Sequence, residues 1–203
     1  MTRTFSGDTL LFATHNRGKL EEMRELLLPH GITVTSAADM GLPEPEETED
    51  SFVGNARIKA HAAARLTGLV SLSDDSGLCV DALDGAPGVY TADWAEGPGG
   101  RDFDRAMTRT HQALMEAGAQ EPWLASFHSV LVLAWPDGHD EVFEGSVGGA
   151  LVWPTRGAHG HGYDPMFVPE GRSCTFAELP ASEKNAISHR AQALAALKKA
   201  CFT

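Results

Sequence analysis

The chain's hydrophobic patterning predicts an α/β fold with a mixed central sheet and flanking helices. Two observations carry that prediction. The first third alternates short apolar runs with stretches of helical periodicity, in the manner of βαβ units that build parallel pairs. The later segment FHSVLVLAW-PDGHD-EVFEGSV places two long strand-like runs around a Pro-Asp-Gly turn, the pattern of an antiparallel hairpin. With 203 residues, no internal repeat and no low-complexity linker, the chain reads as one two-lobed domain spanning residues 1–203.

The elements follow in order. Thr9–Thr14 (TLLFAT) is a buried strand. Leu20, Met23 and Leu27 fall at helical spacing, and Pro29 with Gly31 closes that helix. Ile32–Ser36 is a second strand, followed by the acidic loop PEPEETEDS. Ser51 suits an N-cap, Phe52, Ala56, Ala60, Ala63 and Leu66 form an apolar stripe, and Gly68 ends the helix. Leu69–Ser73 reads as a strand and Leu78–Leu83 as another, separated by a Ser76-Gly77 turn. Phe103, Met107 and Leu114 give a helix from about Asp102 to Ala117, stopped by Gly118. After the hairpin and the loop TRGAHGHGYDP come a short strand at Met166–Val168 and a last helix carrying Ile187, Ala191, Leu194 and Leu197 inward.

Composition narrows the function. Sixteen Lys and Arg against 28 Asp and Glu give a net charge of −12, which argues against bulk binding to nucleic acid or anionic lipid. A small phosphorylated ligand stays compatible, provided the few cations are gathered in one place. No apolar run reaches a membrane span and no cleavable leader is visible, so no membrane partner is expected. Cys79, Cys174 and Cys201 make neither a disulfide framework nor a metal pattern, which suits a reducing cytoplasm.

Five segments carry candidate chemistry. THNRGK (14–19) joins a strand to a helix, where backbone N–H groups and the positive end of the helix dipole attract an anion, with Lys19 and Asn16 in support. It lacks the spacing of a Walker A loop. An ordinary strand–helix turn is the alternative. In SLSDDSGLCV (71–80), Asp74 and Asp75 are adjacent, so an extended chain points them to opposite faces. One is expected to face a ligand and the other to serve within the fold, unless the pair is simply a solvated turn. The acidic loop offers Glu44, Glu46, Glu47, Glu49 and Asp50; one of these with one of the aspartates would satisfy Mg²⁺, which takes one or two carboxylates plus waters and phosphate oxygens. GHGYDP (160–165) holds His161, Tyr163 and Asp164 in a Gly-flexed loop, able to offer a flat ring to a base; His159 and His161 lack the further ligands that zinc requires. EKNAISHR (183–190) sets Lys184, His189 and Arg190 near the start of the last helix, where they oppose the dipole and invite an anion, or else line a solvated face.

Taken together and in this order, ATHNRGKLEE, EETEDSFVGNARIKA, SDDSGLCVDALDGAPGVYTA, HGYDPMF and AELPASEKNAISHRAQAL resemble the inosine triphosphate pyrophosphatase family over nearly the whole chain. The resemblance implies a homodimer with an elongated, two-lobed, mixed-sheet fold and a substrate cleft between lobes. It implies Mg²⁺-dependent hydrolysis of deaminated purine triphosphates such as ITP, dITP and XTP to the monophosphate and pyrophosphate. By similarity, Thr14, His15, Asn16, Arg17, Gly18 and Lys19 hold the triphosphate, and Lys59 supports its phosphate end. Glu47 and Asp75 bind the metal, Asp75 also takes a proton from the attacking water, and Ser76 contacts substrate. His161, Gly162, Tyr163 and Asp164 lie over the nucleoside, with Lys184, His189 and Arg190 completing the contacts.

Two departures stand out. The family usually has Phe at the position of His161, which replaces an aromatic lid by a smaller, titratable ring. It often has Glu where this chain has Gly54, a residue costing about 1 kcal/mol relative to Ala inside a helix. A buried donor pairing with the 6-oxo group of hypoxanthine or xanthine would be left unpaired by adenine, which is how such a site rejects ATP. Alternatives are a pyrophosphatase for other modified or standard triphosphates, or a nucleotide-binding regulator without catalysis. A serine hydrolase built on Ser76 is excluded, because no GxSxG motif or partner base is present.

Overall fold

The computed structural model describes residues 2–202, apart from the side chains of Glu22, Glu25 and Leu26. Six strands form one sheet in the order β2-β1-β3-β4-β5-β6, namely β1 (Thr9–Phe12), β2 (Thr33–Ser36), β3 (Ser71–Val80), β4 (Trp123–Ala134), β5 (Asp140–Leu151) and β6 (Phe167–Pro169). β1 runs parallel to β2 and β3, whereas β5 and β6 are antiparallel, so the sheet is mixed as expected. The helices are α1 (Arg17–Leu27), α2 (Phe52–Thr67), α3 (Phe103–Glu116), α4 (Ala181–Ile187) and α5 (His189–Cys201). Parallel neighbours need a crossover, and α1 and α2 lie in the two that β1–β2 and β1–β3 require.

Local chemistry sets the boundaries. Asn16 caps α1 by accepting the Lys19 N–H, and Ser51 caps α2 by accepting the Gly54 N–H. Asp102 caps α3 by accepting the N–H groups of Asp104 and Arg105. Gly68 closes α2 at φ 72°, a left-handed conformation that favours glycine. Between β4 and β5 the Trp135 N–H donates to the His139 carbonyl at 2.9 Å, closing the hairpin around Pro-Asp-Gly.

The chain divides into two compact units. The first comprises Met1–Asp75, Val130–Glu144 and Ala193–Thr203; the second comprises Ser76–Ser129 and Gly145–Gln192. In the first, β4 alternates between two clusters. Leu131 and Leu133 join Leu10, Phe12, Leu72, the α1 residues Leu20, Met23 and Leu27, and the α5 residues Leu194 and Leu197. Val130, Val132 and Ala134 meet Ala56, Ala60 and Ala64 of α2. Period-two alternation on a strand with helices against both faces produces this. The second unit packs Ala106, Met107 and Leu114 of α3 with Leu78, Val80, Trp123, Phe127, Leu151 and Phe167 from the strands. Phe127 anchors an aromatic group with Phe167 at 4.7 Å and Phe176 at 6.1 Å between ring centroids.

The structure corrects the sequence reading in three places. β3 is one continuous strand from Ser71 to Val80, and the expected Ser76-Gly77 turn does not form. Asp74 and Asp75 therefore stand inside a strand rather than at its end, because lysines from two helices accompany them. The expected last helix is two helices: Ser188 leaves the helical region at ψ 155°, and its Oγ accepts the Ala191 N–H to start α5. Leu66 is 61% exposed while Ala64 is fully buried, so the inward stripe of α2 consists of small residues.

That stripe gives a test. Ala60→Leu inserts a large side chain where α2 meets β4 and is expected to lower stability by about 1–3 kcal/mol. Leu66→Ala is expected to change it by less than about 0.5 kcal/mol. Urea denaturation of both variants checks the inversion.

Candidate functional site

In the first unit, β1 delivers the chain to the N-terminus of α1. Thr14 Oγ1 accepts the Asn16 N–H at 3.1 Å, and Asn16 Oδ1 accepts the Lys19 N–H at 3.1 Å, so the turn is fixed by its own side chains. Arg17 and Gly18 are exposed there, and a Cβ on Gly18 would lie 3.3 Å from the capping Asn16 oxygen. Exposed N–H groups at a helix N-terminus are an anion site by construction. His15 turns away from it: its Nε2 lies 3.0 Å from the Leu42 carbonyl oxygen and its Nδ1 4.0 Å from Glu44 Oε1.

The adjacent aspartates of β3 take opposite helices. Ser73 Oγ donates to the Ala56 carbonyl of α2 at 2.5 Å. One residue on, Asp74 Oδ2 accepts from Lys19 Nζ of α1 at 2.6 Å. One further, Asp75 Oδ1 lies 3.9 Å from Lys59 Nζ of α2, which also holds Glu47 Oε1 at 2.8 Å. Burial would depress the Lys59 ammonium, but the carboxylates of Asp74, Asp75 and Glu47 outweigh it and raise its pKa. The Asp75 carboxyl is pushed up to about 6 by burial, which the Lys59 charge opposes and the Glu47 and Asp74 charges reinforce.

This donor set suits a hard divalent cation. Glu47 and Asp75 share one ammonium, and the Asp75 charge is disfavoured by burial and by neighbouring carboxylates, a state that a cation relieves. Two carboxylates with phosphate and water oxygens match the habit of Mg²⁺. Among the described residues no three His, Cys, Asp or Glu group together as an all-protein metal site.

The acidic loop carrying Glu47 lacks regular structure and is tied by side chains. The Glu49 N–H donates to Asn55 Oδ1 at 3.0 Å. A Cβ on Gly54 would sit 2.5 Å from the Glu49 Cβ, so the loop lies on α2 at a distance only glycine permits. This is the local reason for a residue that helix propensity disfavours.

The second unit has its own polar centre at Asp164. This buried carboxylate accepts the His161 N–H at 2.8 Å and pairs with Lys184 Nζ. Gly160 is required, since φ is 76° and a Cβ would meet Asp164 Oδ2. His161 is exposed, Gly162 half-buried at φ 68° and Tyr163 only 1% exposed. The Tyr163 ring packs edge-on against Phe103, and its hydroxyl accepts from Thr110 Oγ1 at 3.5 Å, so it belongs to the core and His161 is the ring this loop exposes. Lys184 stands in the last turn of α4, not at the start of the last helix, so it complements the dipole there rather than opposing it.

His189 and Arg190 open α5. Neither lies on a solvated face: His189 is 9% exposed, its ring stacked on Phe127 at 5.0 Å, and Arg190 is half-buried. Burial, reinforced by the charges of Arg190, Lys184, His128 and His161, drives the His189 pKa down to about 3. Ser76 is half-buried in β3. Sequence reasoning missed Asn55 as the strap on the acidic loop and His128, bonded to Ser126 Oγ at 2.8 Å, as a neighbour of His189. Neither has a local signal, because the path of the loop over α2 and the packing around His189 set both contacts.

Two measurements test this geometry. Helix propensity alone predicts that Gly54→Ala stabilises by about 1 kcal/mol. The Glu49 contact predicts the opposite sign, a loss of about 1–2 kcal/mol in chemical denaturation. For His189, the folded pKa lies below the unfolded value of 6.5, so the unfolded chain gains a proton first as pH falls. Stability is then complete above pH 6.5 and declines below it, by about 2 kcal/mol at pH 5. His189→Gln is expected to remove that part of the acid loss, read as a flatter stability profile between pH 7 and 5.

The Ham1 family matches residues 10–200. A Ruegeria pomeroyi protein named dITP/XTP pyrophosphatase is 70% identical over 202 residues, covering 100% of this chain and 99% of that protein. A Zymomonas mobilis protein of the same name is 53% identical over 210 residues, covering 100% of both. Among solved structures, a HAM1 protein from Coxiella burnetii superimposes with a TM-score of 0.88 at 38% identity, over 94% of this chain and 96% of that one. The Mycobacterium abscessus nucleoside-triphosphatase, dITP/XTP pyrophosphatase, does so with a TM-score of 0.77 at 40% identity, over 93% and 98%. Sequence and fold agree along nearly the whole length, and the chain belongs to the Ham1 family.

Proposed function

We propose that this protein hydrolyses deaminated purine nucleoside triphosphates, ITP, dITP and XTP, to the monophosphate and pyrophosphate, clearing them from the nucleotide pool. The observation that carries this reading is the set Lys19–Asp74 and Glu47–Lys59–Asp75 beside the N-terminus of α1. It joins an anion-binding turn, two lysines and a buried carboxylate able to take a proton. Relatives up to 70% identical are named dITP/XTP pyrophosphatase, which gives two of these three substrates.

In the reaction, a water oxygen bonds to the α-phosphorus, the bond from that phosphorus to the bridging oxygen breaks, and pyrophosphate leaves with the electron pair. Asp75 accepts the water's proton. The turn Thr14 to Lys19 holds the triphosphate through the exposed N–H groups that open α1 and through the Lys19 ammonium, which keeps Asp74 and turns its remaining N–H donors to phosphate oxygens; Lys59 neutralises the phosphate end. Such preorganised positive charge is where most catalysis of this kind comes from. Mg²⁺, held by Glu47 and Asp75, supplies charge neutralisation on the phosphate oxygens when bound. Ser76 contacts substrate, while His161, Gly162, Lys184, His189 and Arg190 serve the nucleoside, Tyr163 and Asp164 supporting them from within the fold. In the tautomer that turns its N–H to the base, neutral His189 pairs with a 6-oxo group and not with a 6-amino group. The reading includes a cytoplasmic homodimer, in keeping with the family resemblance and with the absence, among the described residues, of any helix long and apolar enough to cross a membrane.

Pyrophosphate release from ITP, dITP, XTP, GTP, dGTP, ATP and dTTP, with Mg²⁺ and with chelator, tests the proposal. Fast, Mg²⁺-dependent release from the first three alone is expected; a flat profile or a preference for standard triphosphates overturns the substrate assignment.

Asp75→Asn separates a working carboxylate from a structural one. Its folded pKa of about 6 exceeds the ordinary carboxyl value of 3.8, so protonation favours the fold at low pH and this contribution is lost as pH rises through 6. At pH 8 the ionised group costs about 2–3 kcal/mol. Asp75→Asn is expected to abolish turnover while raising apo-protein stability at pH 8 by up to about that amount. A destabilised variant with turnover intact would contradict both roles.

A further inference from the structure

We infer that His15 is a positioning residue for Glu47, acting as a clasp between the phosphate-binding turn and the acidic loop, and not through its own ring on the triphosphate. The inference rests on the proposed metal role of Glu47. Between Leu42 and Phe52 the chain has no helix or strand, so side chains must hold it. At one end the Leu42 N–H donates to the Ala37 carbonyl at 2.9 Å; at the other Asn55 accepts the Glu49 N–H. His15 adds a second hold at the Leu42 end, on its carbonyl, and Lys59 holds Glu47 in between.

The imidazole contact fixes a tautomer. A carbonyl oxygen only accepts, so Nε2 must carry the hydrogen for the 3.0 Å contact with Leu42, leaving Nδ1 directed to the Glu44 side. The ring also lines a pocket with Leu42, Pro43, Glu44, Pro45 and Lys59, walled behind by Ala13, Ala62 and Ala63. His15 and Lys59 thus meet the same short stretch of loop from β1 and from α2. Lys59 sets the charge around Glu47, and His15 sets where the loop leaves the wall. A freed loop would search more positions, so the Glu47 carboxylate would meet Mg²⁺ less often in the right place.

The experiment compares wild type, His15→Ala and His15→Gln, the last retaining an N–H donor of similar reach. Hydrogen exchange of the Leu42 and Glu49 amides, which donate to the Ala37 carbonyl and to Asn55 Oδ1 at the two ends of the loop and are protected by those bonds, is measured on the apo-protein and reads the clasp. His15→Ala is expected to speed exchange there about 5- to 10-fold, as loss of one hydrogen bond predicts, with exchange in α1 and β3 unchanged and His15→Gln close to wild type. In steady-state hydrolysis of ITP, the Mg²⁺ concentration for half-maximal rate is expected to rise about 5- to 10-fold in His15→Ala, with a smaller fall in the rate at saturating Mg²⁺. Unaltered exchange in His15→Ala overturns the clasp. Faster exchange with a fall in the saturated rate alone overturns the link to Glu47. Should wild type fail to hydrolyse ITP, the functional reading falls, while the exchange data still decide whether the clasp exists.

Discussion

Two carboxylates side by side in the interior of a strand are the constraint that the first unit is built to meet. Removing an ion from water costs several kcal/mol even after relaxation, and two adjacent negative charges add their repulsion. The fold answers with one lysine per face: Lys19 from α1 lies on Asp74 and Lys59 from α2 lies beside Asp75. That solution requires α1 and α2 on opposite sides of β3, each started at the right residue. Asn16 and Ser51 provide those starts, and the alanine stripe of α2 lets its backbone come close. The two pairings are unequal. Asp74 has a short contact to its lysine, whereas Asp75 shares Lys59 with Glu47 and keeps a raised pKa. Inequality of this kind separates a carboxylate that positions from one that can exchange a proton.

The second unit repeats the device in simpler form. Asp164 is buried, and Lys184 together with the His161 N–H satisfies it. Its task is to hold a loop whose glycines permit the required backbone. His189 solves burial differently, by remaining neutral against the Phe127 ring. A charged imidazole there would have lost its hydration and been repelled by Arg190 and Lys184.

The acidic loop contrasts with both. Its carboxylates need no burial, and its position depends on contacts from other elements, namely Asn55, Lys59, His15 and the close seat over Gly54. The loop has no ladder hydrogen bonds of its own to fix Glu47. Gly54 looks like a defect in a helix and is instead a condition for the loop's approach, a case in which tertiary contact overrides propensity.

By itself the sequence determined the caps, the hairpin turn, the α/β class and the set of polar segments, because each depends on neighbours within a few residues: Asn16 and Lys19, Ser51 and Gly54, Pro136-Asp137-Gly138. It also carried the alternation that sends Asp74 and Asp75 to different faces. Only the tertiary structure decided that β3 runs on through Ser76 and Gly77, since isolated Asp-Asp-Ser-Gly is a turn until two lysines make the carboxylates tolerable inside a strand. It likewise decided that Tyr163 is core, that Leu66 faces solvent, that Ser188 breaks the last helix and that Gly54 is needed. β3 and Tyr163 turn on partners far away in sequence, Lys19 and Phe103, whereas Gly54 turns on how nearby Glu49 is seated over α2; packing sets both, not local pattern.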